Sequence, residues 1–202
     1  METKTLIDFG PGHTNSESWD FKKAYPDSVI LGLEPDRERY EALLEHFPGT
    51  ILNMAGHNKN ENIIMYKNPD SHQQPDMVRA YYDPERESVK VKGITIDQLV
   101  INYKLHSPIS IFIGGGGGWD LKILEGAQKS LQDGLISDII LEAWTCLPPN
   151  EEFVEDWPID TQIKGFLYKF GYTGHKEIKT YFEQFDAWSG GHSYDICFTK
   201  VN

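Results

Sequence analysis

The stretch Leu6-Ile7-Asp8-Phe9-Gly10-Pro11-Gly12 ends a short apolar run in a carboxylate and a glycine-rich turn. The apolar part, Thr5–Phe9, is typical of a buried strand. Glycines at such a turn let the backbone bend tightly and approach a ligand without a Cβ in the way. Taken alone, however, a Gly-Pro-Gly sequence is more often a plain turn than a ligand site.

A second carboxylate follows the next predicted strand, Val29–Leu33. Glu34 comes directly after it, roughly 20 residues beyond the glycine turn, and a carboxylate at that spacing can accept the hydroxyl groups of a ribose. Alternatively, Glu34 is a solvated charge favoured by the dipole of a helix that starts near Pro35. Together, Asp8, the two glycines and Glu34 predict a nucleoside-containing ligand at the carboxyl edge of a sheet.

The order of the elements predicts an α/β fold. Further apolar runs predict strands at residues 50–54, 109–113, 139–141 and 194–199. Three helices are also predicted. The first carries the apolar residues Tyr40, Leu43, Leu44 and Phe47 at helical spacing, the second spans residues 119–131, and the third carries Ile163, Phe166, Leu167 and Phe170 at the same spacing. Strands that alternate with helices indicate a mostly parallel sheet covered by helices. A chain of 202 residues suits one domain, residues 1–202.

Residues 58–92 differ in composition from the rest of the chain, because polar and turn residues dominate there. Two short alternating pieces, residues 63–66 and 89–91, predict edge strands. The stretch of residues 67–88 is long for a plain connection, and long loops in compact domains are often functional. We therefore expect a lid over the site in this region.

Charge and composition narrow the choice of partners. The chain has 19 Lys and Arg against 31 Asp and Glu, a net charge of −12. Few cations are available to neutralise phosphates, so nucleic acid and anionic membranes are poor partner candidates and a neutral or cationic small molecule fits better. The sequence has no signal peptide and no apolar run of about 20 residues, which predicts a cytoplasmic protein. Cys146 and Cys197 are expected to be reduced thiols, and the scattered histidines predict no metal site.

The kind of nucleoside follows from what the glycine turn lacks. A dinucleotide site prefers G-x-G-x-x-G, and this chain has Asn15 where the third glycine belongs. The glycine turn also contains no basic residue that could bind a pyrophosphate. S-adenosylmethionine carries no phosphate, so the sequence favours this cofactor over NAD. An NAD-dependent oxidoreductase remains the alternative.

Five ordered segments resemble the FkbM-type methyltransferases. The resemblance covers most of the chain from Leu6 to about Trp144, and the Leu-Glu-Gly-Ala and Glu-Pro sequences are its more specific parts. The segments are Ile7-Asp8-Phe9-Gly10-Pro11-Gly12, Gly32-Leu33-Glu34-Pro35-Asp36, Ile94-Thr95-Ile96-Asp97-Gln98-Leu99, Gly118-Trp119-Asp120-Leu121-Lys122-Ile123-Leu124-Glu125-Gly126-Ala127 and Ile140-Leu141-Glu142.

This resemblance implies a Rossmann-like class I methyltransferase fold, with a mostly parallel seven-stranded sheet, an antiparallel last strand and helices on both faces. It also implies transfer of a methyl group from S-adenosylmethionine to a hydroxyl group of a small molecule or sugar. By the same resemblance Asp8, Gly10 and Gly12 line the methionine side of the cofactor, Glu34 holds the ribose, and Ala55 lies near the adenine.

One segment departs from the family pattern. Members usually carry an acidic-x-acidic-glycine sequence just before the Trp-Asp pair, but this chain has Gly114-Gly115-Gly116-Gly117-Gly118. The two carboxylates are expected at Gly115 and Gly117, and both are missing. Three explanations are open: an engineered replacement, a natural loop that allows close backbone approach, or an error in the sequence. A natural loop of this kind could form a nest of backbone N–H groups that binds an anion. The loss also leaves open an inactive adenosyl- or nucleotide-binding module of the same fold.

Three side chains near the predicted strand ends remain as catalytic candidates. A hydroxyl acceptor benefits from a base that removes its proton, and Asp120, Glu142 and His13 are placed to supply one. A helix cap or first-turn charge is the structural alternative for Asp120. Glu142, at a central strand tip, has little structural reason to be acidic. For His13 a plain turn position is equally compatible. Trp119 and Trp144 are expected to pack in the core.

Overall fold

The computed structural model describes residues 3–12, 15–68, 77–79, 87–106, 108–114, 119–145, 158–178 and 192–200. In chain order the elements are β1 (Thr5–Phe9), α1 (Ser16–Ala24), β2 (Val29–Leu33), α2 (Arg37–Leu43), β3 (Thr50–Leu52), β4 (Ala55–Gly56), β5 (Asn62–Asn68), β6 (Met77–Arg79), β7 (Ser88–Ile94), α3 (Ile96–Tyr103), β8 (Ile109–Ile113), α4 (Asp120–Glu125), α5 (Gln128–Gln132), β9 (Ile136–Thr145), α6 (Pro158–Tyr168), β10 (Gly174–Ile178) and β11 (His192–Thr199).

Seven of these strands form one sheet in the order β10-β11-β9-β8-β1-β2-β3. The pairs β1–β2, β1–β8, β2–β3 and β8–β9 are parallel. Only β11 runs against its neighbours, because it pairs antiparallel with both β9 and β10. The sheet has the seven strands, mostly parallel, and the antiparallel closing strand that the sequence and its family resemblance predict, and the fold is Rossmann-like.

Helices cover both faces of this sheet. Successive residues of a strand point to opposite faces, so Ile7 and Leu6 belong to different cores. The larger core joins alternate residues of the central strands to buried residues of α3, α4, α5 and α6, among them Ile7, Leu31, Ile111, Leu99, Leu124, Leu131 and Leu167. The opposite face holds the intervening residues Leu6, Ile30 and Phe112, with Phe21 of α1 and Phe47 packed against them.

A second sheet takes up the strands that the sequence predicts as edges. Its four strands run in the order β4-β7-β5-β6. The strand predicted for residues 50–54 is shorter in the structure, since β3 ends at Leu52. β4 begins at Ala55, beyond the predicted range, and pairs with β7. The pieces predicted at residues 63–66 and 89–91 are β5 and β7, paired with each other. The predicted lid at residues 67–88 contains β6, which pairs with β5, and most of its other residues lie outside the described ranges.

Two predicted helices differ from what the structure shows. α2 ends at Leu43, and Leu44 is 55% exposed, so the predicted apolar stripe is wrong at that residue. The helix predicted for residues 119–131 is divided into α4 and α5 at Gly126 and Ala127. Gly126 lies so close to the carbonyl oxygen of His57 that a Cβ there would collide with it. The third predicted helix is α6, and Gly171 follows it with φ 85°.

Asp97 links α3 to α5 by hydrogen bonds. Its Oδ1 accepts hydrogen bonds from the backbone N–H and the hydroxyl of Ser130 at 2.8 and 2.6 Å, and its Oδ2 accepts from the N–H of Lys129 at 3.0 Å. The preceding Thr95 caps α3 by accepting from the N–H of Gln98 at 3.0 Å. The Thr-x-Asp part of the family-like segment thus stabilises the fold.

No helix in the described ranges is both long and apolar enough to cross a membrane. Within the same ranges, no group of three or more His, Cys, Asp or Glu side chains is arranged to hold a metal ion. Cys197 is half-buried in β11, and Cys146 lies outside the described residues.

Candidate functional site

The strand register brings four of the singled-out positions to one level of the large sheet. Phe9 pairs with Leu33 on one side and with Ile113 on the other, and Ile113 pairs with Leu141. The residues that come next are therefore level with one another, and they are Gly10, Glu34, Gly114 and Glu142. The first three directly follow the carboxyl ends of β1, β2 and β8, whereas Glu142 lies inside β9. Open α/β sheets bind their ligands in the crevice at this edge.

Asp8 is a fully buried carboxyl group near the end of β1. Its Oδ2 accepts a 2.5 Å hydrogen bond from the Ser18 hydroxyl in α1. Its Oδ1 has no hydrogen-bond partner among the described residues. Burial raises the pKa of Asp8 to about 7; the Ser18 hydrogen bond lowers this pKa, whereas the charges of Glu17 and Glu34 raise it. An unpaired buried oxygen of this kind suits a ligand that donates a hydrogen bond.

The turn after β1 has the backbone that only glycine adopts readily. Gly10 and Gly12 have φ of 76° and 64°. The N–H of Gly10 donates to the carbonyl of Leu33 at 3.0 Å, which ties the turn to β2. A Cβ added at Gly12 would meet no atom within 4 Å. The catalytic candidate His13 lies outside the described residues.

Asn15, which the sequence analysis considers only as the absent third glycine, is buried at the N-cap of α1. It occupies the third-glycine position of the G-x-G-x-x-G pattern and has a left-handed backbone, φ 38° and ψ 38°. Asparagine is one of the few other residues that enter this region. The sequence signal for this residue is an asparagine three positions after Gly12, and it shows neither the backbone conformation nor the unpaired side-chain atoms.

Glu34 is buried at 4% exposure, directly after β2. Its Oε1 accepts from the N–H of Asp36 at 2.9 Å, and Asn53 Nδ2 donates to the carbonyls of Glu34 and Pro35 at 3.0 and 3.1 Å. The alternative of a solvated helix charge is wrong, because Glu34 is buried and Asp36 caps α2 by accepting from the N–H of Arg39.

The charge state of Glu34 is set by its surroundings. Burial raises the pKa of Glu34 to about 7, while the Asp36 N–H and the nearby guanidinium of Arg39 lower it. Arg39 is itself buried, and its Nε has no hydrogen-bond partner among the described residues. Glu34 and Asp8 are thus two carboxyl groups close to half ionisation at neutral pH, a feature that is frequent at functional sites.

The remaining predicted residues of the described ranges lie in β4, α4 and β9. Ala55 lies in β4 and its side chain is buried in a small core with Ile63, Met65 and Val91. Asp120 is the first residue of α4, and burial raises the pKa of its carboxyl group. The prediction that Glu142 stands at a strand tip is wrong, because β9 continues to Thr145 and pairs Glu142 with Asp195 of β11.

An aromatic and basic cluster follows the glycine run. The Trp119 ring lies 4.8 Å from the His57 ring between centroids, and Lys122 Nζ lies 4.7 Å from the Trp119 ring centroid. Burial, together with the charge of Lys122, lowers the pKa of His57. The N–H of Lys59 donates to His57 Nδ1 at 3.2 Å. Trp119 also packs against the core of the second sheet, as its sequence context favours.

No family model and no curated protein sequence matches the chain, so membership in the FkbM-type family stays a prediction. Among solved structures, the chain is similar to the precorrin-6y C5,15-methyltransferase of Geobacter metallireducens (17% identity, 99% of this chain and 82% of that chain, TM-score 0.48). It is also similar to TrmK of M. capricolum in complex with S-adenosyl-homocysteine (10% identity, 100% and 64%, TM-score 0.47) and to the plantazolicin methyltransferase BpumL in complex with the same compound (9% identity, 100% and 77%, TM-score 0.45).

Proposed function

We propose that the chain binds S-adenosylmethionine and transfers its methyl group to a hydroxyl group of a small molecule or sugar. The observation that carries this proposal is the pair of buried carboxyl groups, Asp8 and Glu34, at the ends of adjacent parallel strands on either side of a left-handed glycine turn. Buried carboxyl groups are costly unless a partner donates hydrogen bonds to them. A nucleoside with a cationic end supplies such donors to both.

Each residue has a separate task in this proposal. The Glu34 carboxylate accepts hydrogen bonds from the ribose hydroxyl groups, while the Asp36 N–H holds its Oε1 and Arg39 favours its ionised form. Asp8 receives the amino end of the ligand at its unpaired Oδ1, and the Ser18 hydroxyl fixes its other oxygen. Gly10 and Gly12 allow the ligand to approach the backbone closely. The expected position of Ala55 near the adenine is kept as part of the proposal.

Catalysis then requires placement of the acceptor and removal of its proton. When bound, S-adenosylmethionine supplies an electrophilic methyl group on a sulfonium centre. Bringing the acceptor oxygen into line with that methyl group is the main source of acceleration. Asp120 is the first candidate for the base that takes the hydroxyl proton, because burial raises its pKa toward the range in which a carboxylate is an effective base. Glu142 and His13 are the further candidates.

The acceptor class follows from charge. A net charge of −12 disfavours a polyanionic acceptor such as nucleic acid and favours a neutral or cationic small molecule. A sugar or a hydroxylated metabolite meets this requirement.

The glycine run supports a second candidate, an adenosyl-binding module without methyl transfer. Gly114 stands level with Gly10 and Glu34, and the acidic sequence of family members is expected directly after it, at Gly115 and Gly117. A chain without those carboxylates keeps the ligand-binding turn and Glu34 but lacks groups that act on the acceptor.

Calorimetric titration tests the cofactor. We expect S-adenosylmethionine and S-adenosylhomocysteine to bind more tightly than NAD; tighter binding of NAD would overturn the proposal in favour of an oxidoreductase. Transfer of a labelled methyl group to a panel of hydroxylated acceptors then separates the two candidates. Turnover of any acceptor would exclude the inactive module, and binding without turnover would support it.

A further inference from the structure

We propose that the carboxamide of Asn15 binds the amino-acid end of the adenosyl ligand and selects such a ligand over a dinucleotide. This inference rests on the proposed function and adds a residue to its site. In G-x-G-x-x-G turns the third glycine contributes close packing and no side chain. Here the same backbone position carries hydrogen-bonding atoms.

The hydrogen-bonding state of Asn15 points to a ligand. The residue is 1% exposed, and neither its Oδ1 nor its Nδ2 has a hydrogen-bond partner among the described residues. An asparagine at a helix N-cap ordinarily accepts from the N–H two or three residues later. Asn15 stands at the N-cap of α1 and makes no such bond with its side chain. Buried polar atoms are almost always paired, so these two atoms, unpaired among the described residues, are available to a ligand.

The surroundings of Asn15 define what those partners are. Ser18 lies three residues further on, on the same side of α1, is buried as well, and donates its hydroxyl to Asp8. The end of β1 and the start of α1 therefore offer three buried atoms that are unpaired among the described residues: two acceptors (Asp8 Oδ1 and Asn15 Oδ1) and one donor (Asn15 Nδ2).

This set matches a zwitterion. An ammonium group donates to the two acceptors, and the carboxylate of the same amino-acid end accepts from the amide. A diphosphate has no hydrogen to donate to Asp8 or to the Asn15 oxygen, and its negative charge is repelled by an ionised Asp8. The side chain of Asn15 thus supplies the selection that its backbone conformation does not.

The test compares Asn15→Gly with the unmodified chain on two ligands. One is S-adenosylhomocysteine and the other is 5′-methylthioadenosine, an adenosyl thioether without the amino-acid end. Glycine keeps the left-handed backbone, so the variant is expected to fold with an unchanged or higher melting temperature. Loss of hydrogen bonds to charged groups predicts about 10- to 100-fold weaker binding of S-adenosylhomocysteine. Binding of methylthioadenosine should change by less than about 2-fold. Ser16→Ala, at the exposed neighbouring hydroxyl, is the control and should affect neither ligand.

Equal weakening for both ligands, or no weakening for either, would overturn the role of Asn15 and leave the proposed function standing. A lower melting temperature of Asn15→Gly without a ligand-dependent effect would assign the side chain to the fold instead. If the unmodified chain binds neither adenosyl compound, the proposed function fails and this inference fails with it.

Discussion

The Ser18 hydroxyl donates a 2.5 Å hydrogen bond to Oδ2 of Asp8, and this contact joins α1 to β1 next to the glycine turn. A hydrogen bond to the ionised carboxylate lowers its pKa, yet burial outweighs this effect and the pKa of Asp8 is about 7. The carboxyl group of Asp8 therefore keeps its proton to a much higher pH than an exposed aspartate does. Stability should depend on pH for this reason.

The first prediction concerns the direction of that dependence. The folded state keeps a proton on Asp8 over the range from about pH 4 to about pH 7, where the unfolded chain has lost it. The stabilising contribution is full below about pH 4 and is lost as the pH rises through about 7. Asp8→Asn removes this titration. Between about pH 5 and pH 8 the free energy of unfolding should therefore fall by about 2 kcal/mol more in the unmodified chain than in the variant.

Denaturant unfolding at several pH values measures this difference. Asp27→Asn, at an exposed carboxylate, is the matched control and should follow the unmodified chain. Parallel pH profiles for Asp8→Asn and the unmodified chain would show that Asp8 is ionised in the folded state throughout this range.

The second prediction concerns Glu34. Its carboxylate is held by the Asp36 N–H and is the proposed partner of the ribose, so Glu34→Gln should weaken S-adenosylhomocysteine binding about 10- to 100-fold. Since burial raises the pKa of Glu34 to about 7, affinity in the unmodified chain should increase as the pH rises through neutrality and Glu34 ionises. Isothermal titration at pH values on both sides of 7 measures both effects.

Glu38→Gln provides the comparison for that experiment, because Glu38 is an exposed carboxylate of the same helix region. Its affinity and pH profile should match those of the unmodified chain. An unchanged affinity in Glu34→Gln would remove Glu34 from the site.

Much of the fold was predictable because the buried strands are continuous apolar runs. Thr5–Phe9, Val29–Leu33 and Ile109–Ile113 are strands with the bounds that the sequence gives them. α1 was not predicted, since Ser18 is its one fully buried position and no apolar stripe marks it. The second sheet was not predicted either, because strand pairing between distant segments leaves no local signal.

The site was predictable only in part. Asp8, Gly10, Gly12 and Glu34 follow a known spacing, and the strand register brings them to the same edge. Asn15 was overlooked because its relevance lies in a left-handed backbone and two unpaired side-chain atoms. Spacing shows neither property.

The third prediction tests the fold apart from the site. Asp97→Ala removes three hydrogen bonds that fasten α3 to α5 and leaves the N–H groups of Lys129 and Ser130 without their acceptor. We expect a loss of about 2–3 kcal/mol in the free energy of unfolding and unchanged affinity for S-adenosylhomocysteine. Thermal unfolding and calorimetry measure the two quantities. Asp133→Ala, which breaks an exposed ion pair with Lys129, should have a much smaller effect on stability.

The fourth prediction uses two glycines in helical regions. A Cβ at Gly126 would collide with the carbonyl oxygen of His57, so Gly126→Ala should destabilise the chain by about 2 kcal/mol. At Gly165 in α6 a Cβ would meet no atom within 4 Å, so Gly165→Ala should stabilise it by about 0.5–1 kcal/mol. If close packing at Gly126 requires the division between α4 and α5, chemical denaturation should show changes of opposite sign in the free energy of unfolding of the two variants. Stabilisation by both substitutions would show that the packing does not require this division.

The last prediction concerns the glycine run. Gly114 is level with Gly10 and Glu34, and Gly115 and Gly117, which lie outside the described residues, are where the family resemblance expects carboxylates. If the run replaces an acidic sequence, Gly115→Asp with Gly117→Glu should raise both methyl transfer and melting temperature, because each glycine costs backbone entropy of roughly 0.5–1 kcal/mol in an ordered segment. If the run is a native anion nest, phosphate should instead stabilise the unmodified chain, and the acidic variant should lose that response through charge repulsion. Melting temperatures of both forms with and without phosphate, together with labelled methyl transfer, distinguish the two cases. Lower stability without a gain in transfer would mean that the expected carboxylate positions are wrong.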